Sequence, residues 1–334
     1  MGGSAFVQQF GIESKRIPDE QYLVLTDGLQ KIFAEKFNKT HLVQSYRQKQ
    51  DHGDADFLIW PNENPVDLDL LGEEISATHR VKNSNITSYL IGGFQVDLIF
   101  CRQKWFETSC FYYDFDPSGN LSGKLAHKFG LKLGHDGLSY ILRDCKNTYK
   151  LGQIDISNDP EQICKFLDLN WGLRKNGFDT QKEIFEYIVS SKYFNHKMFS
   201  YEAMNHIART RDRKRESYRQ FMQHIEGCEA KDFEFEQDKA QYLGYINDFF
   251  PKAKLRETIE QLFAKRAKVT ELSQKFNGEI AMKISGLVGR DFGTVFGGYK
   301  AGKGEWLEFL ENNSSEFIKD DFKKYLRNKV IKNN

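Results

Sequence analysis

The fold of this chain is decided by residues 53–59, Gly-Asp-Ala-Asp-Phe-Leu-Ile, and by residues 96–100, Val-Asp-Leu-Ile-Phe. Both stretches are largely apolar and rich in aromatic or β-branched residues, a pattern typical of buried strands. Side chains two positions apart on a strand point to the same face, so Asp54 and Asp56 project together from the start of the first strand. Asp97 lies within the second. If the two strands are neighbours, three carboxylates converge on one spot.

Three carboxylates in one place need cations. Left alone they repel one another and shift one another's pKa values, whereas two divalent cations about 4 Å apart satisfy them. That arrangement supports in-line phosphoryl transfer, with Mg²⁺ or Mn²⁺ as the two ions. The alternative is a pair of acids in a surface turn, which is what we expect for Asp67 and Asp69. The glycine before Asp54, the apolar strand after Asp56 and the third aspartate favour a metal site.

The segment just upstream has the chemistry of a phosphate-binding loop. Residues 44–49 read Gln-Ser-Tyr-Arg-Gln-Lys and precede Asp54 closely enough to form the other wall of the same pocket. A serine hydroxyl, backbone amides and two cations are the groups that a triphosphate needs around its phosphate oxygens. Taken alone, this short polar stretch is weak support for nucleotide binding.

Composition bounds the class of protein. The chain has 334 residues, of which 40% are hydrophobic, enough for a packed core in roughly two domains. Its 48 Lys and Arg nearly cancel 47 Asp and Glu, so no global field attracts nucleic acid. No apolar run reaches the ~18 residues of a membrane-spanning helix, and the first residues lack a secretory signal. Five cysteines without a CxxC spacing fit reduced thiols, so we expect a cytoplasmic protein without a membrane partner.

Hydrophobic periodicity predicts strands early in the chain and helices late. The strand patterns are residues 55–60, 86–91 and 95–100. The last two are joined at Gly92 and Gly93, a pair typical of a tight hairpin. The helical patterns are residues 161–169, 181–189 and 255–276. Frequent glycines between residues 278 and 304 predict short helices separated by turns.

Positive charge is concentrated in one helical segment. Residues 205–220 carry six cations against two acids, and the cations are Arg209, Arg211, Arg213, Lys214, Arg215 and Arg219. Together with Tyr218 and Phe221 they combine phosphate-seeking cations with rings that can stack on bases, a nucleic-acid footprint. A solvated helix face with internal ion pairs explains the same pattern about equally well.

The order of these motifs resembles the DNA polymerase beta superfamily, the family X nucleotidyltransferases. Residues 45–59 and 96–99 resemble the family's palm. Residues 130–138, Gly-Leu-Lys-Leu-Gly-His-Asp-Gly-Leu, are similar to its thumb motif, and residues 159–169 to a late helical segment. The likeness covers about residues 40–170. A fainter likeness links residues 276–296 to the helical tail of tRNA nucleotidyltransferases, although helix caps and close helix crossings explain those glycines more simply.

The expected architecture is an α+β fold in three parts. The resemblance implies a nucleotidyltransferase palm over residues 1–110, with helices around a mixed or antiparallel sheet, and a thumb-like region over residues 111–200. Residues 201–334 lie outside the main likeness, and their pattern predicts a helical carboxy-terminal domain that would take part in acceptor binding.

The resemblance also implies roles for individual residues. Asp54 and Asp56 would bind both metal ions, and Asp97 would bind the catalytic one. Ser45, with Arg47 or Lys49, would hold the triphosphate. Independently of the resemblance, the charge pattern of the basic segment makes four of its cations the candidate contacts with a nucleic-acid acceptor, namely Arg209, Arg213, Lys214 and Arg215.

The implied activity is transfer of NMP or dNMP from a nucleoside triphosphate to the 3′ hydroxyl of a nucleic acid, DNA or RNA. One alternative is an end-adding enzyme similar to tRNA nucleotidyltransferases. Another is a catalytically silent nucleic-acid-binding protein that keeps the fold. The complete set of three carboxylates argues against the silent protein, because a binding surface gains nothing from acids that repel phosphates.

Overall fold

The computed structural model describes residues 5–144, 149–228 and 232–332 of the chain. It divides into two compact units, Met1–Leu255 and Arg256–Asn334. The domain boundaries predicted at residues 110 and 200 both lie inside the first unit. Of the five cysteines expected to be reduced, Cys145 lies outside the described residues and the other four are free thiols.

Strands occupy the first two thirds of the first unit. In chain order they are β1 (Ile17–Pro18), β2 (Lys39–Leu42), β3 (Asp51–His52), β4 (Asp54–Trp60), β5 (Ala77–Asn83), β6 (Ile86–Ile91), β7 (Phe94–Phe100), β8 (Leu131–Gly134), β9 (Gly137–Arg143) and β10 (Lys150–Ser157). The three strands predicted from sequence correspond to β4, β6 and β7. Gly92 and Gly93 both have positive φ and form the turn between β6 and β7, which confirms the predicted hairpin.

Helices of the first unit surround and follow these strands. They are α1 (Val7–Phe10), α2 (Asp19–Lys36), α3 (Leu68–Glu74), α4 (Phe106–Tyr113), α5 (Ser118–Lys128), α6 (Pro160–Phe166), α7 (Trp171–Asn176), α8 (Gln181–Val189), α9 (His206–Arg213), α10 (Glu216–Glu226) and α11 (Leu243–Phe249). Helices α6 and α8 confirm the two predicted in this region. Helix α6 ends early because Asp168, two residues beyond its last residue, takes a left-handed backbone with φ of 54°.

The largest sheet has five strands in the order β2-β4-β7-β6-β5. Strands β4 and β7 run parallel, and the other pairs are antiparallel, so the sheet is mixed. A second, antiparallel sheet contains β8, β9 and β10, and the short strands β1 and β3 pair with each other. An α+β architecture with a mixed sheet is therefore present, as the sequence predicts.

The two faces of the large sheet carry different cores. On one face, Phe33 of α2 packs against Phe57 and Val96 in the main hydrophobic cluster. On the other face, Leu58 and Ile99 pack against Phe106 at the start of α4. Because side chains alternate along a strand, every second residue of β4 and β7 points toward the α4 face. The aspartates of both strands belong to this second set.

The second unit is helical. Its helices are α12 (Leu255–Lys275), α13 (Gly278–Ser285), α14 (Gly289–Ala301), α15 (Trp306–Asn312) and α16 (Ser315–Lys332). They enclose an aromatic core that includes Phe276, Tyr299 and Phe322. The long helix and the short glycine-separated helices predicted from sequence are both present. In the part of the chain that the structure describes, no helix combines the length and apolar character needed to span a membrane.

Candidate metal centre and phosphate site

Parallel pairing of β4 with β7 brings three carboxylates together. In the register of this pair, Asp56 lies opposite Asp97 and Asp54 lies opposite Gln95. One carboxylate oxygen from each of Asp54, Asp56 and Asp97 lies within 4.8 Å of the other two. The convergence predicted from sequence is therefore present, on the face of the sheet that α4 covers.

Nearby positive charge offsets only a small part of the burial and mutual repulsion of the three carboxylates. Burial raises the pKa of Asp56 well above its usual range, and the charges of Asp54 and Asp97 raise it further. Burial also raises the pKa of Asp97 to about 6, with a further rise from Asp54, although hydrogen bonds from Ser88 and Gln95 oppose this shift. A bound cation would remove the repulsion that these shifts record.

The donor set suits a hard divalent cation. All three candidate ligands are carboxylate oxygens, which Mg²⁺ and Mn²⁺ prefer, and neither a thiolate nor an imidazole belongs to the cluster. The residues present therefore fit the ions that the sequence predicts.

The loop over residues 44–49 is fixed by Asp114, which follows α4. The Gln44 backbone N–H donates to Asp114 Oδ1 at 2.8 Å, and His41 Nε2 lies 2.8 Å from the same oxygen. The Phe115 backbone N–H in turn donates to the Gln44 carbonyl at 2.7 Å. Ser45 therefore follows an anchored residue, and its position is defined without a ligand.

Arg47 and Lys49 have different surroundings. The Arg47 guanidinium donates to the Asp179 carboxylate and to the Asn176 carbonyl, so it is bound to the segment after α7. Lys49 is half-buried, and burial lowers its pKa while the charges of Asp54 and Asp116 oppose that shift. Among the residues that the structure describes, no acid forms an ion pair with Lys49. Of the two predicted cations, Lys49 is the one that faces the carboxylates.

Arg16 lies beside the same site and is missing from the sequence-based prediction. Its Nε donates to Asp51 Oδ1 at 3.1 Å, and this hydrogen bond, with smaller effects from the charges of Asp51 and Asp54, raises its pKa. A Cβ at Gly53 would lie 2.8 Å from Arg16 Nη1, so the glycine leaves room for the guanidinium. Arg16 is brought there by the pairing of β1 with β3, two-residue strands too short to recognise in a sequence.

A cleft of about 500 Å³ opens beside the loop. Its polar lining residues are Asp19, Gln44, Ser45, Tyr46, Arg47 and His52, and its apolar wall includes Leu23, Leu42, Val43, Phe115 and Phe178. The ring of His52 stacks on Tyr22 with centroids 3.6 Å apart, and His52 Nε2 lies 2.9 Å from Asp19 Oδ1. The three aspartates are not part of this lining, so the cleft adjoins the carboxylate cluster without containing it.

The basic segment is only partly available to a ligand. Arg209 donates to the Tyr201 and Met204 carbonyls at 2.9 Å each, so it fixes the turn before α9. Arg213 lies over the Tyr201 ring, 5.3 Å from its centroid, and Lys214 is exposed. Arg215 is half-buried and stays close enough to Tyr112 to lower the pKa of its hydroxyl, against a larger rise from burial.

The sequence-based interpretation of two aromatic residues is wrong. Tyr218 and Phe221, proposed as rings that stack on bases, have no exposed surface. The Tyr218 hydroxyl donates to the Phe199 carbonyl at 2.5 Å, and Phe221 packs edge-to-face against Phe199. Both rings belong to the core beneath α10, because the helix turns its apolar side inward.

The basic segment lies next to the candidate site. Ser217 Oγ donates to Asp116 Oδ2 at 2.6 Å, at the start of α10. Asp116 is in turn close enough to Lys49 to raise its pKa against the effect of burial. The start of α10 is therefore hydrogen-bonded to an acid whose charge acts on Lys49, next to the carboxylate cluster.

A scan against protein-family models and a search of curated proteins found no match for this chain. Since a fold by itself does not identify an activity, function has to be inferred from the chemistry of the site. That chemistry consists of three converging carboxylates, a half-buried lysine beside them and an adjoining cleft.

Proposed function

We propose that this protein is a divalent-metal-dependent nucleotidyltransferase that transfers NMP or dNMP from a nucleoside triphosphate to the 3′ hydroxyl of a nucleic acid. The observation that carries the proposal is the cluster of Asp54, Asp56 and Asp97 on adjacent parallel strands, with oxygens within 4.8 Å of one another. Two-metal phosphoryl transfer needs such a cluster, because the cations must hold both the attacking and the leaving oxygens. The large mixed sheet would then be the palm of a polymerase beta-like enzyme.

The carboxylates and cations divide the work of the reaction. Asp54 and Asp56 would hold both ions, and Asp97 would hold the one nearest the acceptor. The ions, when bound, would lower the pKa of the attacking hydroxyl and neutralise charge on the phosphates. The 3′ hydroxyl would lose its proton to water, and its oxygen would form a bond to the α-phosphorus while the bond from the α-phosphorus to the bridging oxygen breaks and pyrophosphate leaves.

Binding of the triphosphate would fall mainly to residues on the edge of the cluster. Lys49 pairs with no acid among the described residues and lies close enough to Asp54 for that charge to act on it. Arg16 is held by Asp51 through Nε and Nη2, but its Nη1 is directed at Gly53, so both cations can offer a donor to phosphate oxygens near the metal ions. Ser45 lines the adjoining cleft and can supply a hydroxyl. Arg47 would reach a phosphate only by leaving Asp179.

The basic segment bears on the choice of acceptor. Arg213, Lys214 and Arg215 directly precede α10, whose Ser217 is hydrogen-bonded to Asp116, and clustered cations favour a polyanion such as nucleic acid. An enzyme that adds nucleotides to tRNA ends would use the same chemistry with a different acceptor.

The test is a transfer assay across substrates. The full chain is incubated with Mg²⁺ or Mn²⁺, each labelled NTP or dNTP, and primed DNA, a DNA hairpin or total RNA including tRNA, and the products are sized. Elongated product with wild type and none with Asp97→Asn supports the proposal, and the acceptor that is elongated separates DNA, RNA and tRNA enzymes. If no acceptor is elongated and neither metal with any nucleotide raises the melting temperature, the protein is not a nucleotidyltransferase.

A further inference from the structure

Gln95 holds both oxygens of the Asp97 carboxylate. Its Nε2 lies 3.0 Å from Asp97 Oδ1 and 2.9 Å from Asp97 Oδ2. The two residues are separated by one position on β7 and therefore share the face of the sheet on which the cluster lies. Gln95 is only 4% exposed, so water does not compete for its amide.

The amide of Gln95 is itself held in place. The Ala5 backbone N–H donates to Gln95 Oε1 at 3.4 Å, which leaves Nε2 directed at the carboxylate. The next residue, Phe6, is completely buried and anchors this stretch of chain. From the neighbouring strand, Ser88 pairs with Asp97 across the β6–β7 ladder and adds a second hydrogen bond to its carboxylate.

The Gln95 donor to Asp97 is a neutral amide, which leaves the charge of the carboxylate available to a metal ion. An arginine or lysine would hold the carboxylate too, but its charge would compete with a cation for the same oxygens. An amide orients the carboxylate while leaving its negative charge for the ion. Orientation matters most for Mg²⁺, which demands near-ideal octahedral geometry, whereas ions with looser requirements tolerate a displaced ligand.

We propose that Gln95 is a positioning residue for the metal ion that Asp97 would bind, and that it makes the site competent for Mg²⁺ in particular. This inference rests on the proposed function. It concerns a residue that is not one of the three candidate ligands and that acts through the geometry of Asp97.

The variant Gln95→Met tests this role because it keeps the length of the side chain and removes the donor. Gln153→Met is the matched control, since Gln153 lies on β10 and donates to the carboxylate of Asp136, outside the site. Ser88→Ala removes the other donor to Asp97 and is a second test with a smaller change of volume.

Two measurements separate a positioning role from a structural one. Transfer is measured with Mg²⁺ and with Mn²⁺, and Mn²⁺ binding is followed by electron paramagnetic resonance without nucleotide. Gln95→Met should still bind Mn²⁺ with nearly the wild-type Kd, because Mn²⁺ tolerates a displaced ligand, whereas a variant that has lost the structure of the site would not bind it. We expect Gln95→Met to lower kcat with Mg²⁺ by about 10- to 100-fold, with a much smaller loss with Mn²⁺ and an unchanged KM for nucleotide. Ser88→Ala should shift the same ratio in the same direction, and Gln153→Met should leave it unchanged.

An equal loss with both metals, or no loss, would overturn the role of Gln95. If Gln95→Met fails to fold, a normal Mg²⁺-to-Mn²⁺ activity ratio in Ser88→Ala overturns it instead. Failure of the proposed function looks different: wild type itself then shows neither Mn²⁺ binding nor transfer with either metal.

Discussion

At the scale of single residues, the carboxylate cluster lowers the free energy of unfolding of the metal-free protein. Asp56 and Asp97 are both driven toward their neutral forms, first by burial and then by the charge of Asp54, to which the charge of Asp97 adds in the case of Asp56. Sites that perturb ionisable groups in this way are typical of function rather than of stability. The stability of the metal-free chain should therefore depend on the charge of these groups.

The pH dependence of stability follows from the Asp97 pKa of about 6, against an ordinary value of 3.8. The folded state holds this proton more tightly than the unfolded state, so the stabilisation is full below about pH 4 and is lost as pH rises through 6. At pH 7.5 without metal, Asp97→Asn should unfold at a higher urea concentration than wild type. The gain in free energy of unfolding should be about 1–3 kcal/mol, since partial exposure weakens the effect.

Two controls belong to this measurement. At pH 4 the stabilities of Asp97→Asn and wild type should nearly coincide, because the wild-type carboxyl is then protonated. Mg²⁺ should stabilise wild type at pH 7.5 and leave the variant almost unaffected. If Asp97→Asn is less stable than wild type at pH 7.5 without metal, the charge of Asp97 does not destabilise the folded protein.

A second prediction at this scale concerns the two predicted cations of the loop. Lys49→Met should raise the Kd of a nucleoside triphosphate about tenfold or more, because a charge-assisted hydrogen bond to phosphate contributes about 1.5–3 kcal/mol. Arg47→Met is the matched control and should have a smaller effect, because its guanidinium already binds Asp179. Calorimetric titration of each variant with a non-hydrolysable triphosphate measures the difference, and a larger effect of Arg47→Met would reverse the assignment.

The aspartates could be predicted from sequence because local rules suffice for them. Alternation on a strand places Asp54 and Asp56 on one face, and the apolar surroundings of Asp97 indicate a second buried strand. Arg47 could not be assigned in the same way, since its partner Asp179 lies 132 residues away. Tertiary contacts decide which of the nearby cations form ion pairs with acids distant in sequence, and a local sequence pattern does not show these contacts.

At the scale of elements, helix α9 is attached to α5 through a buried charge. Asp212 has no exposed surface, and its carboxylate lies 2.9 Å from Lys124 Nζ and 2.8 Å from Arg211 Nε. Burial alone would raise the pKa of Asp212, but hydrogen bonds from Arg211 and Lys124 lower it overall. Asp212 is therefore charged at neutral pH and connects the basic segment to the body of the first unit.

Removal of this charge should be strongly destabilising. Asp212→Asn keeps the volume but leaves Lys124 buried without a counter-charge, so the free energy of unfolding should fall by about 3 kcal/mol. Asp27→Asn is the control, because Asp27 pairs with Lys31 on the exposed side of α2, where such a pair contributes well under 1 kcal/mol. Urea unfolding at pH 7 measures both, and equal effects would mean that the buried contact is not a structural link.

Three consecutive cations of the same segment should act on the acceptor. Changing Arg213, Lys214 and Arg215 together to Gln should weaken acceptor binding. It should also reduce the slope of log K against log salt concentration by up to about one for each lost phosphate contact. The control removes three exposed cations from α12, namely Lys265, Arg266 and Lys268. Fluorescence anisotropy across salt concentrations gives the slopes. An unchanged slope in the first variant would make the segment an ordinary solvated helix face.

The basic segment shows that a charge pattern does not separate residues that bind a ligand from residues that stabilise the fold. The sequence identified six cations and two rings, but could not divide them between ligand and core. Arg209 fixes a turn, and Tyr218 is buried because the apolar stripe of α10 needs cover from the rest of the unit. Helix periodicity indicates which side of a helix is apolar. What packs against that side depends on the tertiary fold and cannot be predicted from the local pattern.

At the scale of the whole molecule, the two units have separate cores. Phe276, Tyr299 and Phe322 pack within the second unit, and the large sheet has its own cluster around Phe33 and Phe57. The sequence indicated the change from strands to helices but placed the last boundary near residue 200. The composition already turns helical there, while the contacts of α9 to α11 still belong to the first unit.

A fragment spanning residues 255–334 should fold by itself. Its aromatic core and its length, close to the size at which single domains become stable, support this expectation. Circular dichroism of the isolated fragment should show a helical spectrum that is lost cooperatively in urea. A spectrum of a disordered chain would mean that the helices depend on the rest of the protein.

The parallel ladder between β4 and β7 also bears on how this protein can change over evolutionary time. The spacing of its carboxylates is fixed by backbone pairing, so it is independent of the 41 positions that separate Asp56 from Asp97 in sequence. Insertions or deletions at the tip between β5 and β6 can therefore accumulate while the ion-binding geometry is inherited unchanged. Related chains could therefore lose most of their sequence similarity in this region while the three aspartates keep their places.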